Sequence, residues 1–317
     1  AMKKVKLPLS YKKIDKIVLF GMGGSALGID VARALYGNEI NIPIEIVNDY
    51  QVPKYLTKDS LVILSSYSGS TEETVGAARE VAKITKKIFV ITTGKDLLNL
   101  AKRKKYPVYK IDPKFNPCDQ PRVAVGYSIT CQFALLSKLG LIKLSDKEFK
   151  GLVDFLKKNA KKFEKDAIKA AEKSKGKVIV WVAAEFLKGN AHILSNQTNE
   201  TGKQFAVWFP VPEMNHHLME GFSYPQSFSK SAMFIFINSN LYFKRNQLRM
   251  KLTQEVAKKN KAATAMMKFT SENKLRQVMA LLSWGGYYSF YLAMVNKVDP
   301  SLIPWVDYFK KQLGKRK

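Results

Sequence analysis

The chain has 317 residues, 46% of them hydrophobic and 25% charged, the composition of a soluble globular protein long enough for two domains. Its net charge of +27 comes mostly from lysines spread along the whole length, without zinc-finger spacing or aromatic-interleaved basic runs. It therefore reads as a solvated surface that attracts small anions, and no specific nucleic-acid partner is expected. No apolar run approaches the ~18 residues of a membrane span, and Ala1-Met2-Lys3-Lys4 is too short for a secretory signal. Two cysteines, Cys118 and Cys131, make no disulfide framework, so a cytoplasmic location with free thiols is expected.

In chain order, residues 16–20 form a short apolar run that ends in glycines, a buried-strand pattern, with a helix following to about residue 36. Residues 44–47, 61–65, 88–92 and 107–111 read as further strands, and a helix follows the third strand to about residue 85. This alternation predicts a parallel sheet with helices on both faces. A proline-rich loop, residues 115–122, precedes a helix over about 123–139. Ser145 with Glu148 three later is a capping-box signature, opening a long Lys/Glu-studded helix to about residue 173. The domain boundary is placed there, giving 1–144 and 145–317.

The second part repeats the theme. Residues 177–183 are strand-like, and a helix runs to about 199. Strands follow at 206–209, 232–237 and 263–269, with helices at 245–258 and 274–296. Asp299-Pro300 ends the penultimate helix, and Pro304 starts the last.

Two strand-to-helix turns carry the chemistry. Gly21-Met22-Gly23-Gly24-Ser25-Ala26 lets the backbone approach an anion at a helix N-terminus. Alone it suits a dinucleotide, with Asp49 further on, a phosphate, or a mere tight turn. In the second turn, Ser66, Ser68 and Thr71 offer three hydroxyls, a cup of donors for the terminal oxygens of a phosphate monoester. A helix cap would explain one hydroxyl, not three. Further on, Glu200 lies 16 and 17 residues before the adjacent His216 and His217. The third histidine, His192, is distant, and the spacing is not that of a metal site.

The glycine turn together with Ser66-Tyr67-Ser68-Gly69-Ser70-Thr71-Glu72-Glu73-Thr74 resembles the sugar isomerase (SIS) domain. Asn199-Glu200-Thr201-Gly202-Lys203 and Glu213-Met214-Asn215-His216-His217-Leu218-Met219-Glu220-Gly221 make the second part similar to bifunctional phosphoglucose/phosphomannose isomerases. The resemblance runs from about residue 15 to the C-terminus. It implies two SIS-like α/β/α sandwich domains with mainly parallel central sheets.

It also implies a hexose 6-phosphate substrate, no cofactor, no metal and a homodimer with shared active sites. Gly24, Ser25, Ser66, Ser68 and Thr71 match the phosphate-binding loops. Glu200 matches the base that moves a proton between C1 and C2 through a cis-enediol. His217 matches the ring-opening group, with His216 as the alternative because the spacing from Glu200 is one residue longer than in the family. Arg122 matches a cation beside the developing negative charge, and Lys310 a lysine of the terminal helix. Ile303 stands where the bifunctional enzymes carry a threonine, which puts mannose 6-phosphate use in question. Rival readings are a non-catalytic sugar-phosphate sensor, a dinucleotide-dependent oxidoreductase and an aminotransferring sugar-phosphate enzyme of the same superfamily.

Overall fold

The computed structural model describes residues 2–315 and shows two parallel sheets. In the first, β1 (Ile17–Phe20), β2 (Ile44–Val47), β3 (Leu61–Ser65), β4 (Ile88–Thr92) and β5 (Val108–Lys110) lie in the order β2-β1-β3-β4-β5. Every residue of β1, β3 and β4 is buried. Their apolar runs are continuous because helices cover both faces of the sheet. The helices are α1 (Leu27–Tyr36), α2 (Glu72–Ile84), α3 (Lys95–Lys104) and α4 (Val125–Lys138). The sequence reading missed α3, whose three leucines and one alanine are thinly spread among basic residues. Only Leu97 and Ala101 of this helix are buried.

Ser145 caps α5 (Asp146–Ser174) through the reciprocal bonds of a capping box: Glu148 N donates to Ser145 Oγ at 3.2 Å, and Ser145 N donates to the Glu148 carboxylate at 2.8 Å. The second sheet holds β6 (Val178–Ala184), β7 (Ala206–Val211), β8 (Ala232–Ser239) and β9 (Ala263–Phe269) in the order β7-β6-β8-β9. Around it lie α6 (Lys188–Glu200), α7 (Gln226–Ser231), α8 (Lys244–Lys259) and α9 (Lys274–Val295), followed by α10 (Pro304–Gly314). α9 ends at Val295, earlier than Asp299-Pro300. Its carbonyls are closed by Val298 and by Lys297 at φ +57°, so the proline lies in a loop beyond the helix.

α9 also corrects the reading that no segment has the length and apolarity of a membrane span. It meets that description, and half of the span is buried inside the protein. The reason is packing: Trp284 and Tyr288 stack at 5.0 Å and meet the buried Trp181 of β6 edge-on at 6.1 and 5.3 Å. This cluster belongs to a core that runs on through α6 into α1 and α4, so the two sheets share one apolar interior.

In both sheets the strand order reverses between the first and third strands. An open parallel sheet has its crevice there, at the carboxyl ends of the two strands. In the second sheet the crevice is occupied by the protein's own carboxylate. Glu185, at φ +45°, accepts from Phe243 N at 2.7 Å and Asn246 Nδ2 at 2.8 Å, at the start of α8. The first sheet has no such plug among the described residues.

Candidate active site

The two phosphate-type turns follow β1 and β3, which pair in register from Ile17 with Leu61 to Phe20 with Leu64. The turns are therefore neighbours, and hydrogen bonds lock them together. Ser65 Oγ donates to Ser25 O at 2.8 Å, and Tyr67 N donates to Ser25 Oγ at 3.0 Å. Ser128 and Gln132 of α4 also donate to Ser25 O. Ser25 is thus a buried junction between the turns, with its hydroxyl oxygen already accepting a bond. Gly24 allows a third segment in: a Cβ on it would come within 2.9 Å of Pro121 O, in the loop that carries Arg122.

The hydroxyls of the second turn converge. Ser66 Oγ lies 2.7 Å from Thr71 Oγ1 and 3.4 Å from Ser68 Oγ, and it accepts Gly69 N–H at 3.0 Å. Gly69 sits at φ +76°, where a Cβ would stand 1.9 Å from Gly94 O, so no side chain fits at this bend. The cup opens at the start of α2. Glu72 and Glu73 in the first turn of that helix already offset its dipole. An anion bound here would therefore rest on the hydroxyls and loop amides more than on the helix.

Arg122 is 3% exposed. Its Nη1 donates to Gln120 Oε1 at 2.8 Å, and its Nη2 donates to Pro300 O at 2.7 Å and Ser301 O at 2.9 Å. Its Nε–H is buried with no partner among the described residues. A buried donor on a charged group without an acceptor calls for an explanation, and an oxygen of a bound anion is one. Gln197 Nε2 of α6 donates to Arg122 O at 3.2 Å, joining this loop to the helix that ends in Glu200.

Glu200 is half-buried at the last position of α6. Asn199 sets that end: its side chain donates to Ser195 O and Ala206 O and accepts from Ala206 N, tying the helix to β7. The main-chain carbonyl of Glu200 accepts from Lys203 Nζ, which also approaches Pro300 O at 3.5 Å. Arg122 and Lys203 therefore meet at one carbonyl, Pro300 O, and Lys203 links it to the main chain of Glu200. Lys203 lies inside a motif that carries the resemblance, yet nothing in the sequence assigns it a role. Its signal was the Glu-Thr-Gly-Lys spacing, which reads locally as a helix end.

The histidines and Lys310 are not in this cluster. His217 is exposed, bonded through Nε2 to Glu213 Oε2 at 2.9 Å and edge-on to Phe209. His216 is also exposed. His192 joins the two halves by a 2.9 Å bond from Nδ1 to Asp30 Oδ2 and stacks on Trp208. Lys310 lies on α10, a helix with no buried residue. Ile303 is the residue before that helix, and its carbonyl accepts from Asp307 N. Asp49 is exposed and accepts from its neighbour Tyr50 N, in the bend after edge strand β2.

Residues 163–313 match the family model of the bacterial phospho-glucose isomerase C-terminal SIS domain. A bifunctional phosphoglucose/phosphomannose isomerase of Caldicellulosiruptor bescii is 28% identical, over 99% of this chain and 94% of its own. Over nearly its full length the chain is similar to that isomerase. One from Aquifex aeolicus is 27% identical, over 94% of this chain and 90% of its own. A D-glucosamine-6-phosphate 4-epimerase of Sulfolobus acidocaldarius is 27% identical, over 68% of this chain and 66% of its own. Solved structures share the fold. A hypothetical protein from Thermus thermophilus superposes with a TM-score of 0.76 at 16% identity, covering 96% of this chain and 85% of that one. Tagatose-6-phosphate ketose/aldose isomerase from Escherichia coli superposes at 0.68 and 14% identity, covering 91% and 84%.

Proposed function

We propose that this protein is a metal-independent aldose–ketose isomerase of hexose 6-phosphates. Glucose 6-phosphate and fructose 6-phosphate form its substrate pair, and mannose 6-phosphate, which Ile303 puts in question, is tested beside them. The observation that carries this reading is buried Arg122, with a donor left unpartnered, linked to the helix that ends in Glu200. The phosphate sits in the Ser66–Ser68–Thr71 cup, replacing the mutual hydroxyl bonds there, with Gly24 and Ser25 holding the adjoining turn. The Glu200 carboxylate takes the proton from C2 of the aldose and returns it to C1, and in the reverse direction takes it from C1 and returns it to C2. The enediolate that forms between these steps carries negative charge on oxygen, which Arg122 stabilises from Nε–H.

Ring opening needs a proton shuttle that this cluster does not contain. The exposed His217, oriented by Glu213, and Lys310 on α10 fit the task if each serves the site of a second copy. α10 supports such a homodimer: Trp305 is 83% exposed, and Tyr308 and Phe309 61% each, an apolar surface with nothing from the described residues of its own chain upon it. Free Cys118 and Cys131 suit a cytoplasmic enzyme.

The test is a coupled assay with fructose, glucose and mannose 6-phosphates in excess chelator. Conversion of the first two is expected, and binding without turnover would favour a sensor. Glucosamine 6-phosphate belongs in the same panel, because a 4-epimerase is among the relatives. Epimerisation in place of isomerisation would replace the reading.

A further inference from the structure

We propose that Lys203 is a second fixed cation of this active site, donating from Nζ to the oxygens of the enediolate beside Arg122. This rests on the isomerase reading and adds a residue to it. Three observations carry it.

The first is where the backbone puts Lys203. It follows the end of α6 at φ +53°, a left-handed position that favours glycine or asparagine. Glycine takes the same conformation without strain, so replacing Lys203 by glycine removes the side chain and keeps the turn. The second is where the side chain goes. It does not extend into solvent. It folds back so that Nζ donates to the Glu200 carbonyl and lies 3.5 Å from Pro300 O, the acceptor that Arg122 Nη2 already holds at 2.7 Å. Two cations thus converge on one neutral carbonyl, and among the described residues neither has an ion-pair partner. Like charges brought together at low exposure repel, and an anion placed between them relieves the repulsion. The third is the unpartnered Nε–H of Arg122 in the same cluster.

The electrostatics agree with this placement. Partial burial and then the charge of Arg122 push the Lys203 ammonium below the usual lysine value, outweighing the opposite pull of Glu200 and Asp299. Glu200 remains the group that moves the proton. Lys203 stays protonated throughout, supplies a hydrogen bond, and exchanges nothing.

A plain helix-capping lysine would make the same bond to Glu200 O, so the experiment separates the two roles. Turnover and melting temperature are measured for Lys203→Met, Lys203→Gly and Lys203→Arg. Lys105→Gly serves as control, since Lys105 is a left-handed lysine after α3, outside the site. Loss of one such donor is expected to lower kcat by about 10²–10³ in Lys203→Met and Lys203→Gly. Lys203→Gly should melt no lower than the parent, because it relieves the left-handed strain. Lys203→Arg should keep most activity and carry the alkaline loss of kcat to higher pH, since arginine does not deprotonate there.

Binding gives a readout independent of turnover. A five-carbon aldonate 5-phosphate, whose carboxylate copies the enediolate, should bind about 10–100-fold more weakly to Lys203→Met. Fructose 6-phosphate should bind that variant nearly as well as the parent. Turnover within threefold of the parent in Lys203→Gly, or equal weakening for both ligands, would overturn the proposal. A parent protein that converts no hexose 6-phosphate would remove the isomerase reading, while the differential binding would still decide whether Lys203 faces the anion.

Discussion

Replacing Arg122 by lysine keeps the charge and removes the fork. The guanidinium spans three acceptors from two nitrogens: Gln120 Oε1 at 2.8 Å, Pro300 O at 2.7 Å and Ser301 O at 2.9 Å. A lysine ammonium is a single point on a different stem and can retain one of these at best. Charge-assisted bonds contribute about 1.5–3 kcal/mol each. Taking the lower value, because the loop at Pro300 and Ser301 is half-exposed and can turn to water, the loss of two costs about 3 kcal/mol. A chain of this length has an unfolding entropy of about 0.7 kcal/mol/K, so the melting temperature should fall by about 4–5 °C.

The same substitution releases the segment that leads into α10. Amide exchange should quicken by up to about a hundredfold at Ser301, whose N–H donates to Asp299 Oδ1, and at Asp307, whose N–H donates to Ile303 O. Melting followed by circular dichroism and exchange followed by mass spectrometry read both effects. An unchanged melting temperature with unchanged exchange at these amides would refute the claim that Arg122 tethers the loop.

Three more outcomes follow from the same geometry. Glu200→Gln should lower kcat by about 10²–10⁴ while leaving KM and thermal stability near the parent values, since the bond to Lys203 uses the main-chain carbonyl of Glu200, which the substitution keeps; full turnover would remove it as the base. Thr71→Val should raise KM for fructose 6-phosphate about tenfold or more by taking one donor from the phosphate cup, with kcat changed much less. Asp30 is pushed up by burial, but its bond to His192, then the charges of His192 and Arg33, bring it net below the usual carboxylate range. A depressed carboxylate contributes stability that is present above its unfolded value, about 3.9, and is lost as pH falls through its folded value. Asp30→Asn should therefore be less stable than the parent at neutral pH, and the gap should close in acid. Melting curves from pH 7 down to pH 3 test this, and a constant gap would refute it.

The local signals of the chain were legible because each is fixed by near neighbours in sequence. Continuous apolar runs gave buried strands, Ser145 with Glu148 gave the cap of α5, and hydroxyls at spacings of two and three gave a phosphate-type turn. α3 escaped because its apolar stripe is narrow. α9 was legible as a helix, and only its span-like apolarity was not, because that shows when the whole helix is taken together.

What the sequence determined by itself was the chemistry available: glycine and serine turns, a carboxylate, two histidines, an arginine. Which of these groups meet was decided by tertiary structure. The pairing of β1 with β3 makes neighbours of two turns some forty residues apart in sequence, and α6 brings Gln197 to the loop of Arg122. Glu185 bonds to the start of α8 at the second crevice, an arrangement the first sheet lacks among the described residues. Lys203 joins the carbonyls of Glu200 and Pro300, and the exposed His217 and Lys310 do not, because a side chain three residues past a helix end folds back on that end, while residues on an exposed turn or an unpacked helix do not reach it. No spacing in one dimension records that difference.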